Sequence, residues 1–273
     1  MSIRIGIDVG GSTTKIVGFN HGELLSPLIV KSSDPVASVY GAFGKFVSDN
    51  GINLADVECI MVTGVGAAYI TSDIYGIKTV CVSEFISGAK GGLYLTECKK
   101  AVIVSLGTGT SLVYAERNGK AEYLGGTGVG GGTLMGLSRK MLGLNDIKHV
   151  VEVAENGNLE NIDLRIKDIS KKDIGPTLSA DITASNFGKM SDSATTEDIA
   201  LGIINMIYET AAMLAMFAAR EKGCTDIILI GQLSVFPQAK ELFKNFEKTF
   251  PVRFIIPENA SHATAIGAAL IKD

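Results

Sequence analysis

Two short stretches gather glycine, hydroxyl and charged side chains in this chain: Asp8-Val9-Gly10-Gly11-Ser12-Thr13-Thr14-Lys15 and Gly107-Thr108-Gly109-Thr110-Ser111. Glycine lets backbone amides approach an anion closely, and Ser and Thr hydroxyls add donors at the same place. That chemistry suits a polyphosphate. Each stretch interrupts apolar runs, Ile3 to Ile7 and Ile16 to Phe19 around the first, Ala101 to Leu106 and Leu112 to Ala115 around the second. Both read as strand, tight turn, strand, with the glycines at hairpin tips rather than at the start of a helix. Two such tips facing each other would clamp a nucleotide between two lobes. A surface hairpin closed by an Asx-turn explains either stretch alone, and the repetition argues against it.

Single residues sharpen this expectation. Asp8 ends a strand at the first turn, where a carboxylate tolerates phosphate only across a divalent cation or its water, as magnesium is usually held. Lys15, at the far end of that turn, would reach the phosphates as a point charge. Glu84 follows the apolar run Thr79 to Val82 and opens a helical segment, so it should emerge from a strand end into the cleft. There it could take the proton of a substrate hydroxyl and aim it at a γ-phosphate, its ionised form favoured by the helix dipole. A plain helix-capping acid is the alternative for Glu84. The run Gly125 to Thr133, with Gly126, Gly128, Gly130, Gly131 and Gly132, would let backbone lie against a ligand, and the following helix would point free amides at it. Gly231-Gln232-Leu233-Ser234 and the small-residue helix Ala263 to Ala269 would admit an adenine or, equally, close helix packing. His21, His149 and His262 are isolated in sequence and are not expected to bind metal.

The elements that must position these residues follow from periodicity. Strands are expected at Ile3–Asp8, Lys15–Asn20 and Glu23–Val30, a helix over Pro35–Asp49 capped by Asp34, strands at Cys59–Thr63 and Thr79–Val82, and a helix from Glu84 to Leu95. A similar strand set restarts at Lys100 and runs past Ala115, with a turn at Asn118-Gly119 and a strand near Glu122. Helices near Thr133–Leu142, Asp146–Asn156 and Glu197–Lys222 follow, then strand Asp226–Ile230, helix Pro237–Phe250, strand Val252–Ile256 and helix Ala260–Ile271. The repeated meander implies a duplicated α/β fold, with lobes spanning 1–98 and 99–273.

Composition sets outer bounds. The chain has 273 residues, 46% hydrophobic and 20% charged, which suits a globular protein with ample core. A net charge of −4 argues against nonspecific nucleic-acid binding. Ile199 to Ala219 is apolar, but Asn205 and Glu209 interrupt it, so a buried or interface helix is expected there and no membrane span. Cys59, Cys81, Cys98 and Cys224 are scattered, the first two in strand-like runs that predict burial. With Met1-Ser2 running straight into a strand, a cytoplasmic location is expected.

Taken in order, the motifs resemble the superfamily of acetate and sugar kinases, Hsp70 and actin, and within it the type II (eukaryotic-like) pantothenate kinases. The resemblance is carried by Gly6-Ile7-Asp8-Val9-Gly10-Gly11-Ser12 with Lys15, by Ser83-Glu84-Phe85, and by Gly107 to Ser111. It continues through Gly125 to Gly136, Asp163-Leu164 with Lys167-Asp168-Ile169, and Ala184-Ser185-Asn186-Phe187-Gly188, covering nearly the whole chain. The triple glycine and the Ser-Asn-Phe-Gly segment are the most specific of these. The resemblance implies a two-lobed actin-like (ribonuclease H-like) fold and ATP- and magnesium-dependent phosphorylation of the primary hydroxyl of pantothenate. It implies Glu84 as catalytic base, Lys15 and the Asp8–Ser12 turn at the β/γ-phosphates and magnesium, and Thr108 and Ser111 at the phosphate and pantothenate site. It also implies a homodimer through the helix over 197–222. One departure stands out: where the family carries an arginine two residues ahead of Gly125, this chain has Tyr123, which offers a hydroxyl but no charge. Arg117 or Lys120 could substitute. A sugar or amino-sugar kinase, a nucleotide-gated activator of 2-hydroxyacyl-CoA dehydratases and a silent ATP-binding regulator are the alternatives.

Overall fold

The computed structural model describes residues 3–32, 34–170 and 180–272. Strand β1 (Ile3–Val9) runs antiparallel to β2 (Thr13–Asn20), which also pairs with the short strands β3 (Glu23–Leu24) and β4 (Leu28–Lys31). A single strand over Glu23–Val30 is thus corrected to two. Pro27, which has no amide to donate, lies in the break between them. Helix α1 (Pro35–Asp49) starts where expected, with the Asp34 carboxylate accepting from Ala37 N at 2.7 Å. Strand β5 (Val57–Thr63) is parallel to β1, and β6 (Thr79–Cys81) completes the order β3-β2-β1-β5-β6. Cys59 is buried, but Cys81 is exposed, because β6 is the short outer strand of this sheet.

After helix α2 (Glu84–Tyr94) the pattern repeats. Strands β7 (Lys100–Leu106), β8 (Thr110–Glu116) and β9 (Ala121–Thr127) form a second antiparallel meander. Helices α3 (Gly131–Leu142) and α4 (Ile147–Ala154), the strand pair β10 (Leu164–Arg165) and β11 (Thr183–Ser185) around the one-turn α5 (Ile166–Ile169), and the long α6 (Thr196–Glu221) fill the connection. Strand β12 (Asp226–Ile230) then pairs parallel to β7, followed by α7 (Pro237–Thr249), β13 (Arg253–Ile255) and α8 (Ala263–Ala269). The second sheet, β9-β8-β7-β12-β13, has the same order and sense as the first. The expected final helix over Ala260–Ile271 splits into a 3-10 turn at Ala260–His262 and α8.

Burial explains the layers. Ile3, Ile5, Ile7 and Val9 alternate along β1 and pack on Val39, Phe43 and Phe46 of α1. The largest core joins Ile203, Ile207, Tyr208 and Ala211 of α6 to Val102, Val104 and Leu229 of the second sheet. By length and composition alone α6 could cross a bilayer, but more than half of its most apolar stretch is covered by the rest of the chain. Helices α2 and α8 exchange partners. Ala89 and Leu93 of α2 pack on Ile103, Val113 and Ile228 of the second sheet, while Ala265, Ile266 and Ala269 of α8 pack on Val17 and Phe19 of the first. The two helices touch backbone to backbone: a side chain at Gly91 would strike Ala263 O, and one at Gly267 would strike Ser87 O.

Candidate active site

The β1–β2 hairpin places Asp8 and Lys15 on one rung, where they form a buried ion pair, Lys15 Nζ to Asp8 Oδ2 at 3.3 Å. The turn between them closes through Gly10 N donating to Thr13 O at 3.0 Å, and Ser12 O accepts from Ser32 N at 2.9 Å. The second turn is pinched by Gly107 N donating to Gly109 O at 3.0 Å. The two tips meet: a carbon added at Gly11 would lie 3.4 Å from Thr108 Oγ1.

The third glycine run braces this arrangement. Gly131 N donates to Gly107 O at 2.9 Å and Gly132 N to Thr108 O at 2.8 Å. A carbon on Gly130 would come within 2.7 Å of Gly109 Cα, so only glycine fits. The first amides of α3, expected to point freely at a ligand, are therefore occupied in holding the second turn. Gly231, at φ +93°, lies against the base of the same turn, where an added carbon would sit 2.6 Å from Leu106 O. Its own N–H donates to Ala260 O at 2.9 Å.

Glu84 opens α2 just beyond β6 and lies close enough to Asp8 and Lys15 to feel both charges. Burial pushes its carboxyl above the ordinary glutamate range, Asp8 pushes it further, and Lys15 pulls it back. Burial and the neighbouring carboxylate oppose the helix dipole, which is expected to favour the ionised form.

Two neighbours of this cluster escape a reading of the sequence. Gly64, at φ +90° after β5, leaves open the space where a carbon would lie 2.6 Å from Asp8 Oδ1. His262 precedes α8, and burial, with the Lys15 charge adding, pulls its imidazole down to about 4. Its Nδ1 is 3.2 Å from Ser261 Oγ, while its buried Nε2 lacks a hydrogen-bond partner. Only a strand-end glycine in the first case, and an isolated histidine in the second, marked them.

On the second sheet, half-buried Ser111 pairs across β8 and β9 with Gly126, and Tyr123 lies farther along β9. Tyr123 stacks on Phe85, the residue after Glu84, with ring centroids 4.2 Å apart. Arg117 and Lys120 do not stand in for a missing cation here. Arg117 donates to the carbonyls of Cys98, Leu93 and Thr96 near the end of α2, and Lys120 pairs with Glu116 at 3.9 Å and lies over the Tyr114 ring. The Ala184–Gly188 segment is tied down by two acids: buried Asp163 accepts from Phe187 N and Asn205 Nδ2, and Glu209 accepts from Thr183 and Asn186.

Chemically, the site is a narrow glycine-walled seam ending at two acids and a lysine. Asp8 offers a hard oxygen at Oδ1, with the other oxygen facing Lys15 and no side chain at Gly64 to crowd it. Among the described residues no group of three or more His, Cys, Asp or Glu could cage a metal. Such a donor set fits magnesium held by one carboxylate, with phosphate oxygens and water completing its shell.

Comparison with known proteins agrees with this geometry. The family model Fumble matches residues 96–239. The chain is 32% identical to the type II pantothenate kinase of Staphylococcus saprophyticus over 97% of this chain and 98% of that protein. With the type II pantothenate kinase of Oceanobacillus iheyensis it shares 29% identity over 98% of each. Among solved structures, the activator of 2-hydroxyisocaproyl-CoA dehydratase from Clostridium difficile with bound ADPNP superposes at a TM-score of 0.71, with 17% identity and 98% and 93% of the two chains covered. A ROK family glucokinase from Streptomyces griseus in complex with glucose and AMPPNP gives 0.59 at 13% identity, covering 98% of each chain. These structural likenesses carry the fold, the two-lobed actin-like ATPase architecture expected from the duplicated hairpins.

Proposed function

Because the chain belongs to the type II pantothenate kinase family, we propose that it transfers the γ-phosphoryl group of ATP to the primary hydroxyl of pantothenate. The product is 4'-phosphopantothenate, and the reaction is the first step of coenzyme A biosynthesis. The observation that carries this reading is the meeting of the two glycine turns, Gly11 against Thr108, beside Glu84.

In this reading the Gly10–Thr13 and Gly107–Gly109 turns hold the triphosphate from opposite lobes, with Gly130, Gly131, Gly132 and Gly231 fixing the second turn's shape. Lys15 faces the β/γ-phosphates, and Asp8 holds magnesium, which when bound offsets phosphate charge. Glu84 accepts the hydroxyl proton, and its raised pKa suits that task because a base titrating nearer the working pH is both ionised and strong enough to take the proton. Thr108, Ser111, Gly126 and Tyr123 form the alcohol's side of the seam. The positive charge facing the reacting phosphate then comes from Lys15 and the cation, since Arg117 and Lys120 are engaged elsewhere.

Division of the chain near residue 98 gives the two lobes, each lending one helix to the other. We assign a homodimer to the α6 face, which leaves Leu214 and Phe217 exposed beside a groove of about 1190 Å³ lined by Met213, Met216 and Phe246. Four free cysteines suit a reducing cytoplasm. The test is direct: purified protein given ATP, magnesium and pantothenate should release ADP in step with pantothenate consumed. Equal or better phosphorylation of hexoses, with pantothenate untouched, would replace this reading with a sugar kinase.

A further inference from the structure

Phe85 and Tyr123 reach each other from different halves of the chain. Phe85 is the second residue of α2, directly after Glu84, and Tyr123 stands in β9. Their rings stack with planes 28° apart. Both stay partly open to solvent, 39% and 52% exposed, so the contact lies at the surface rather than in the core. The β8–β9 register shifts between Leu112 and Val113, and Gly125 adopts φ +117°, so an irregular rung adjoins the strand position that carries Tyr123. An aromatic pair of this kind contributes about 0.5–1.5 kcal/mol beyond the area it covers, enough to fasten a helix start to a strand.

The charged groups that face Glu84 come from the other sheet: Asp8 of β1 and Lys15 of β2, with the His262 imidazole near Lys15. From β9 Glu84 receives a ring, by way of its neighbour. We propose that Tyr123 is a positioning residue for Glu84: stacked on Phe85, it fastens the first turn of α2 to β9 and so sets where the carboxylate sits. The proposal rests on the reading of Glu84 as the base. It gives the ring at position 123 a mechanical role, whatever contact its hydroxyl makes with the alcohol.

The test is steady-state kinetics with ATP, magnesium and pantothenate, read beside thermal unfolding of the same variants. In Tyr123→Ala, kcat should fall on the order of tenfold while KM for ATP stays within about twofold, the pattern of a misaimed base. Tyr123→Phe, which keeps the ring, should retain the parent's kcat. Phe85→Ala should lower kcat equally, and the double variant no further than either single one, because the pair acts as a unit. An unchanged kcat in Tyr123→Ala, an equal loss in Tyr123→Phe, or additive losses would each overturn the proposal. Absence of any pantothenate phosphorylation by the parent protein would instead remove the functional reading, and the coupling of the two alanine variants in unfolding midpoint would still judge the stack.

Discussion

Gly11 and Thr108, from opposite halves of the chain, stand tip to tip, so that a carbon added at Gly11 would touch Thr108 Oγ1 at 3.4 Å. Gly11→Val should therefore push the two turns apart. Overpacking of about 1–3 kcal/mol corresponds to roughly a ten- to hundredfold loss of ATP affinity. Calorimetric titration with a non-hydrolysable analogue, on protein with unchanged far-ultraviolet circular dichroism, checks it. An unaltered affinity would mean that the turns share no ligand.

Replacement of Glu84 by Gln should lower kcat by about 10² to 10⁴ while ATP still binds. In the parent enzyme kcat/KM should fall as pH drops, along an acid limb lying above the usual carboxylate range, since the base must be ionised and its pKa is raised by burial and by Asp8. The sign for stability is the opposite. A carboxyl with a raised folded pKa binds more protons folded than unfolded, so it costs stability above that pKa, and Glu84→Gln should raise the melting midpoint at neutral pH. A lower midpoint would refute the burial argument.

Lys15→Met leaves the Asp8 carboxylate without its cation. The two side chains are only 10% and 9% exposed, so the pair falls in the buried regime, where loss of one partner costs about 3–5 kcal/mol. Thermal unfolding should show a Tm lower by roughly 6–20 °C, and adding Asp8→Asn should recover most of it. If the single variant melts with the parent, water reaches the pair and the buried picture is wrong.

His262 makes stability depend on mild acid. Its folded pKa of about 4 lies below the reference 6.5, so the unfolded chain takes up the proton first. The neutral-imidazole contribution is complete above 6.5 and is lost progressively as pH falls toward about 4. His262→Asn should flatten urea-unfolding free energies across that window. A slope equal to the parent's would assign it to other groups.

Much of this was legible from residue order alone, where the signal is local. Alternating isoleucines in β1, the Asp34 cap and the strand-end position of Glu84 each depend on neighbours a few residues away. What the residue order hid is non-local. The exchange of α2 and α8 depends on which sheet face is left uncovered, and the small residues Gly91 and Gly267 signal close packing without naming the partner. Gly131 and Gly132 looked like free donors because their acceptors, Gly107 and Thr108, belong to another turn. Gly64 and His262 reach the acid–lysine cluster only through sheet pairing and the return of the chain's last helix. Cys81 looked buried because its run is apolar, and only the sheet order reveals an edge.

The exchanged helices bear on how the chain is made. While the ribosome is still working, the first sheet offers Val17 and Phe19 to water on the face that Ala265, Ile266 and Ala269 will later cover. Nascent chains should lean on chaperones late in synthesis, and neither half expressed alone should stay in solution, though the two made together should find each other.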